Sequence, residues 1–198
     1  MTESVALPWE LQYDAAGFVA IPETDDPAAA EAWVQECLER YGLWHESAPE
    51  AADQVAATAR MMLDAARTGG ARLWFAPPGI YSDVLVSIAV ESSAGRPSTE
   101  ELFDGVASST AVDVTPLRTE THGAGYLVRW GVTIEDPEGP ESEARGSLFV
   151  EHWTVLLNDG TWTILIDVLG TTLPVFAQLE EYLPQLIVGI TVPRVPAA

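Results

Sequence analysis

The spacing of apolar residues changes at residue 71, and this change constrains the fold more than any other feature of the sequence. Before it, apolar residues recur at intervals of three and four, which is the spacing of an amphipathic helix. After it, they alternate with polar residues, which is the spacing of a β-strand. We therefore predict an α+β protein in which helices come first and a layered antiparallel sheet follows.

Two helices are predicted in the first third of the chain. The Asp-Pro pair at 26–27 is typical of an N-cap followed by proline at the first helical position, and the first helix ends near Gly42. A capping box at 47–50 begins the second helix, which the glycine pair at 69–70 ends. The apolar stripes consist of Trp33, Cys37, Leu38 and Tyr41 in the first helix, and of Val55, Ala59, Met62, Leu63 and Ala66 in the second.

About six strands and two further helices are predicted after the helical pair. The strands fall at about 72–76, 84–90, 111–120, 125–135, 145–157 and 161–169. A short helix is predicted at 98–106, and a C-terminal helix from about 172 to 190 contains Pro184, which would kink or break it. At 198 residues the chain is predicted to form a single domain. Its parts are an N-terminal arm at 1–25 with a short strand or extended segment near 17–22, the helical pair at 26–69, and the sheet with its helices at 70–198.

The Asp159-Gly160 pair is the strongest local hairpin signal in the sequence. A two-residue loop at this pair predicts a continuous apolar face, and it places His152 opposite Asp167 on a second face of mixed composition. Two faces with apolar residues indicate layers on both sides of the sheet, the helical pair on one and the C-terminal helix or a partner subunit on the other. The predicted pairs are Asn158 with Thr161, Leu157 with Trp162, Val155 with Ile164, and Trp153 with Ile166.

The candidate pocket consists of His152, Asp167 and Arg129 on the mixed face. Arg129 lies at an alternate position of its strand and so shares a face with Leu127 and Thr133. It would join His152 and Asp167 if the strands are neighbours. A carboxylate beside an imidazole favours the imidazolium and orients it as a general acid or base. The alternative interpretation is a cross-strand ion pair beneath a helix. Neither serine nor cysteine lies beside His152 in this register, so no nucleophilic triad is predicted.

Common enzyme motifs are absent from the sequence. The chain has no lysine, and so it has neither a phosphate-binding P-loop lysine nor a lysine for a Schiff base. His45, His122 and His152 lie far apart and lack the spacing of zinc ligands. We therefore predict no metal and no cofactor. Trp44 and His45, just beyond the predicted end of the first helix, form a candidate interaction surface, with a packed corner as the alternative.

The charge of the chain limits its partners. Nine arginines stand against 30 acidic residues, for a net charge of -21. Nucleic acids and anionic membrane surfaces are bound by clustered cations, so neither is a predicted partner. No apolar run approaches the roughly 20 residues that cross a bilayer and no signal peptide is evident, so we expect a cytoplasmic protein. The exclusive use of arginine over lysine is typical of GC-rich bacterial genomes.

Five segments within 71–192 carry a resemblance to a known family. They are Leu73-Trp74-Phe75-Ala76-Pro77, the strand Val84 to Val90, the helix Ser98 to Val106, the closing strand Gly160-Thr161-Trp162-Thr163-Ile164, and the tail Phe176 to Ile190. In this order they resemble the PsbP-like superfamily, which includes photosystem extrinsic proteins, a Ran-binding nuclear import factor and the LpqN lipoproteins of bacteria. The resemblance implies a role in binding other proteins or as an accessory subunit, without a shared catalytic motif. The helical pair and the missing lipid-attachment cysteine depart from the LpqN lipoproteins.

Two functions from different classes follow from these observations. The first, which we favour, is a non-catalytic cytoplasmic interaction protein whose sheet face or helical pair binds a protein partner or a second copy as a homodimer. The second is a small-molecule-binding protein or hydrolase with a pocket between sheet and helix, and with His152, Asp167 and Arg129 at its polar end. A concave pocket on the mixed face would favour the second function, and a flat interface would favour the first.

Overall fold

The computed structural model describes residues 9–42, 49–66, 69–92, 113–135 and 147–193. Within these ranges the chain forms three α-helices and nine β-strands, which confirms the predicted α+β class with a large antiparallel sheet. The helix predicted at 98–106 lies outside the described residues. The helices are α1 (Pro27–Arg40), α2 (Pro49–Asp64) and α3 (Leu173–Val188).

Seven of the strands form one antiparallel sheet in the order β2-β3-β4-β8-β7-β6-β5, and β1 pairs with β9 separately. The sheet has seven strands, against the six predicted, because the segment near 17–22 joins it as β2. The strands are β1 (Glu10–Leu11), β2 (Phe18–Ala20), β3 (Ala71–Phe75), β4 (Val84–Ser92), β5 (Asp113–Thr119), β6 (Gly123–Glu135), β7 (Ser147–Asn158), β8 (Trp162–Gly170) and β9 (Ile190–Thr191).

The start of α1 follows the predicted chemistry, whereas the capping box predicted at 47–50 lies partly outside the described residues. The Asp26 side chain accepts a hydrogen bond from the Ala28 N–H at 3.0 Å, and Pro27 follows it as the first residue of α1. Pro184 lies inside α3, which continues to Val188. Pro184 has no N–H to donate to the carbonyl of Glu180. The helix nevertheless continues, because the proline lies on its exposed side, where water can reach that carbonyl.

Different helices pack on the two faces of the sheet. The face that we call the α3 face carries the main core, in which Trp153 and residues of the central strands pack against Phe176 and other apolar residues of α3. On the opposite face, α1 and α2 pack over the β2–β4 part, with the Trp74 ring 6.4 Å from Trp33 and 5.7 Å from Tyr41. The predicted layers on both sides of the sheet are therefore present.

The register of the β7–β8 hairpin differs by two residues from the prediction. Asn158 pairs with Thr163, and the Asp159 N–H donates to the Trp162 carbonyl, so the two loop residues are Gly160 and Thr161. Gly160, the first loop residue, has positive φ, and the Trp162 N–H donates to the Asp159 side chain. The shift is even, and because side chains alternate with a period of two, every side chain keeps its predicted face. The observed pairs are Leu157 with Ile164, Val155 with Ile166, Trp153 with Val168, and Thr154 with Asp167.

Cys37 lies in the core between the helical pair and the sheet, with 1% of its surface exposed. Burial raises the pKa of its thiol to about 12, so the reactive thiolate is not formed at neutral pH. We expect the native protein to react with a disulfide reagent at pH 8 at least about a hundredfold more slowly than the protein in urea. The unfolded chain supplies the control, since its single cysteine should release one equivalent. Equal rates in both states would show that the thiol is accessible.

Candidate functional site

The β5–β8 part of the face opposite α3 carries a set of exposed apolar side chains, and we call it the open face. Five large apolar residues on it are 39–52% exposed, namely Val114, Val132, Ile134, Leu148 and Leu169. The strand register brings them together: Ile134 pairs with Leu148, and Val132 precedes Ile134 by two residues. Leu169 pairs with His152, which in turn pairs with Trp130. Val114 on β5 pairs with Val128, which is buried with Leu156 in a small cluster on the same face. The exposed residues therefore lie beside this cluster across β5 to β8, with Val132, Ile134 and Leu148 together on β6 and β7.

Part of the open face lies on a two-stranded ribbon. In the described part of the chain, β5 pairs with β6 only as far as Arg129, and β8 pairs with β7 only from Glu151 onward. The ends of β6 and β7 beyond these points pair with each other, as far as Glu135 with Ser147. An isolated pair of strands is marginally stable in water, so apolar side chains on it gain from contact with another surface.

His152 and Asp167 lie together on the open face, as predicted, although they are diagonal neighbours and do not face each other directly. The Nε2 atom of His152 is 3.4 Å from Oδ1 of Asp167, and the Thr154 hydroxyl donates to the same oxygen at 2.8 Å. The imidazole also packs on Trp130, with ring centroids 4.3 Å apart. This pair can orient a proton, but the residues paired with His152 across the sheet are apolar on both sides, which leaves it without a nucleophile there.

Arg129 does not join this pair, and the predicted convergence of three residues is wrong. Its strand partner is Trp153, which lies on the α3 face, so the two residues share that side of the sheet. There the guanidinium lies 4.6 Å from the centre of the Trp153 ring and forms an ion pair with Glu180 of α3. Arg129 is therefore a link between the sheet and α3. The prediction that Arg129 and Leu127 share a face of β6 was correct. That face pairs with the Trp153 side of β7, however, and not with the His152 side as predicted.

A cavity of about 490 Å³ lies at one end of the sheet, away from the predicted pocket. It is bounded by the β5–β6 turn, the β7–β8 turn, the end of α3 and the segment that includes β9. His122 in the β5–β6 turn is part of its wall and is only 3% exposed. The sequence predicted no role for His122, since its spacing from the other histidines does not fit zinc and no local signal in the turn indicates burial. Its burial arises from the packing of the turn against the end of α3.

The remaining sequence predictions concern a surface, metals and membranes. Trp44 and His45 lie outside the described residues. Across the described ranges, no three His, Cys, Asp or Glu side chains are grouped in a way that could hold a metal ion. In the same ranges, none of the helices combines the length and apolar character needed to span a bilayer.

Comparisons of this chain with protein-family models, with curated proteins and with solved structures find no match. The resemblance to the PsbP-like superfamily therefore stays a prediction.

Proposed function

We propose that this protein is a non-catalytic, cytoplasmic interaction module that binds a basic protein through its open face. The observation that carries the proposal is the position of five exposed large apolar residues on one face of the sheet. Contiguous apolar surface of this kind is typical of protein-binding sites on soluble proteins. The role in binding other proteins that the PsbP-like resemblance implies agrees with this proposal.

The partner is expected to pack on the face and not to add a strand to the sheet edge. The edge strand β5 contains Pro116, which has no N–H to donate, and Arg118, which adds a charge. Both features oppose the pairing of a further strand at this edge. On the face itself, Ile134 and Leu148 are each about half exposed and offer apolar contact.

The charge of the chain selects the kind of partner. A second copy would bring the same net charge of -21 to the interface, whereas a basic protein would be attracted at long range. Asp167, whose side chain is 40% exposed, is one carboxylate on the open face that a lysine or arginine of the partner can approach. The homodimer that the sequence also allowed is therefore the less favoured occupant.

The arrangement of the charged residues argues against a hydrolase at the predicted pocket. His152 and Asp167 lie on the open face, whereas Arg129 is paired with Glu180 on the α3 face. Because these three residues lie on two faces of the sheet, they do not form the polar end of one pocket, as the small-molecule hypothesis required.

Site-specific photocrosslinking in the source cells tests the proposal. A photoreactive amino acid at Leu148 should crosslink to one basic protein, and the same amino acid at Met61 of α2, which is equally exposed, should not. The purified crosslinked protein should then bind the native chain. The double variant Ile134→Thr/Leu148→Thr should weaken that binding at least about tenfold, since it removes apolar contact while keeping residues that favour strands.

A matched variant controls for a general loss of surface hydrophobicity. Met61→Gln/Leu173→Gln removes two side chains of similar exposure outside the open face, and it should leave binding unchanged. A crosslink to a second copy would disprove the basic partner. Equal crosslinking at both positions, or equal effects of the two double variants, would disprove binding through the open face.

A further inference from the structure

We propose that the cavity beside His122 binds a small organic cation, namely an ammonium compound with a short apolar body. Its volume of about 490 Å³ falls within the range of small-molecule sites. This inference does not depend on the proposed function, because the cavity lies at the turns that end β5 and β7, and none of the exposed residues that define the open face lines it.

The charges around the cavity favour a cation. Among the described residues that line it, Glu120 and Asp159 are the two with a full charge, and both are carboxylates. The C-terminal end of α3, with Val188 in the wall, adds the partial negative charge of a helix terminus. A cationic ligand is therefore attracted by every charged element of the lining.

Trp162 and the carboxylate of Asp159 both contribute to the wall. The Oδ1 atom of Asp159 accepts hydrogen bonds from the N–H groups of Thr161 and Trp162, at 2.8 and 2.7 Å. The indole N–H of Trp162 donates to the Pro193 carbonyl at 3.0 Å, which holds the ring against the segment after β9. The combination of an aromatic ring with nearby carboxylates is the common means of recognising ammonium groups.

His122 fixes one wall of the cavity. Its Nε2 atom lies 3.1 Å from the carbonyl oxygen of Ile187, and because a carbonyl only accepts, Nε2 carries the proton. In the neutral ring Nδ1 is then an acceptor, and it is buried with no hydrogen-bond partner in the described part of the chain. Nδ1 therefore faces packed protein, and the Nε2 hydrogen bond holds the β5–β6 turn, with Glu120, against the end of α3.

The lining favours an organic cation over a metal ion. The described part of the chain holds no set of three ligating side chains close enough for a metal, and this includes the residues around His122. Val188 and Val192 instead provide apolar wall. An alkylammonium fits both features, since its charged group can meet the carboxylates while its chain lies on the valines.

A titration followed by NMR tests this site. In uniformly ¹⁵N-labelled protein, the indole N–H signal of Trp162 can be identified as the one that is missing from a Trp162→Phe variant. We expect n-butylammonium chloride to shift this signal in a saturable manner, and the neutral analogue n-butanol to have no saturable effect. Tetramethylammonium, which has no N–H to donate, should bind more weakly than n-butylammonium.

Two charge variants separate a specific site from general attraction to an acidic protein. Glu120→Gln/Asp159→Asn should weaken n-butylammonium binding at least about tenfold, because it removes both carboxylates while the amide oxygen of the introduced asparagine can still accept the turn hydrogen bonds. Glu36→Gln/Asp53→Asn, at exposed positions of α1 and α2, removes the same charge and should leave binding unchanged. The Ile134→Thr/Leu148→Thr variant should also bind normally. The absence of a saturable shift, or equal weakening in the two charge variants, would overturn the proposal.

Discussion

Replacing Arg72 with methionine is expected to lower the free energy of unfolding by about 3 kcal/mol. Arg72 lies on β3 beneath the helical pair and is 3% exposed. Its guanidinium donates to the carbonyls of Met62 and Ala65 at the end of α2, at 3.2 and 2.8 Å, and approaches the Pro22 carbonyl at 3.5 Å. Methionine fills a similar volume but cannot donate, so buried carbonyls at the negative end of the helix would lose their partner.

Urea denaturation followed by circular dichroism measures this loss. Arg60→Met is the matched control, because Arg60 is a residue of α2 whose side chain is 54% exposed and pairs with the exposed Glu31. Exposed ion pairs contribute little, and we expect no measurable change for this variant. Arg72→Lys keeps the charge and should fall between the native protein and Arg72→Met. An equal midpoint for Arg72→Met and the native protein would show that the helix end does not need the guanidinium.

Replacing Asp83 with asparagine should destabilise the protein by about 2 kcal/mol at neutral pH, and this difference should shrink in acid. Asp83 precedes β4, and its carboxylate accepts hydrogen bonds from the N–H groups of Thr171 and Thr172 and from the Thr171 hydroxyl. It thus serves the start of α3, where Thr172 forms no side-chain cap of its own. Asparagine keeps an acceptor but loses the negative charge at this positive helix end.

The pH dependence follows from the direction of the pKa shift. Burial alone would raise the pKa of Asp83, but the hydrogen bonds from Thr171 and Thr172 outweigh it and lower the pKa below its usual 3.8. A carboxyl group whose pKa is lowered on folding stabilises the protein above its unfolded pKa, and this stabilisation is lost as the pH falls through the folded value. The difference in unfolding free energy between Asp83→Asn and the native protein should therefore be constant above about pH 5 and decrease below about pH 4.

Urea titrations at pH 3, 4, 5 and 7 measure this difference in unfolding free energy. Both proteins contain the other carboxylates, so the contributions of those groups largely cancel. Asp26→Asn is the matched control, since Asp26 caps α1 from an exposed position and asparagine caps a helix about as well as aspartate. It should change stability little at neutral pH. A difference for Asp83→Asn that stays the same at pH 3 and pH 7 would contradict the role of the charged form.

The hairpin shows how local spacing and tertiary register differ. The Asp159-Gly160 pair predicted the turn, but its residues alone did not predict that Asn158 and Asp159 would both accept hydrogen bonds from the N–H groups that follow them. These bonds move the loop forward by one residue and the strand pairing by two. Each side chain kept its predicted face because the shift was even, so His152 and Asp167 still lie on one face.

Arg129 shows where the prediction failed. Alternation within a strand places Arg129 with Leu127, and both do lie on one face. Which face of β7 they join depends on the pairing between β6 and β7, and residues 136–146 separate these strands in the sequence, too far apart for a hairpin signal to fix the register. Both faces of β6 carry apolar residues, so hydrophobicity could not decide between the alternatives.

The sequence by itself determined the α+β class, the helical pair, the main strands of the sheet and the residues that share a face along each strand. These features follow from periodicities of a few residues and from turn and capping chemistry, which act locally. Only the tertiary structure decided that Arg129 contacts α3, that five apolar residues of the open face are exposed, and that His122 is buried beside a cavity. Those outcomes depend on which surfaces compete for burial across the whole chain, and this competition is not encoded in any single segment.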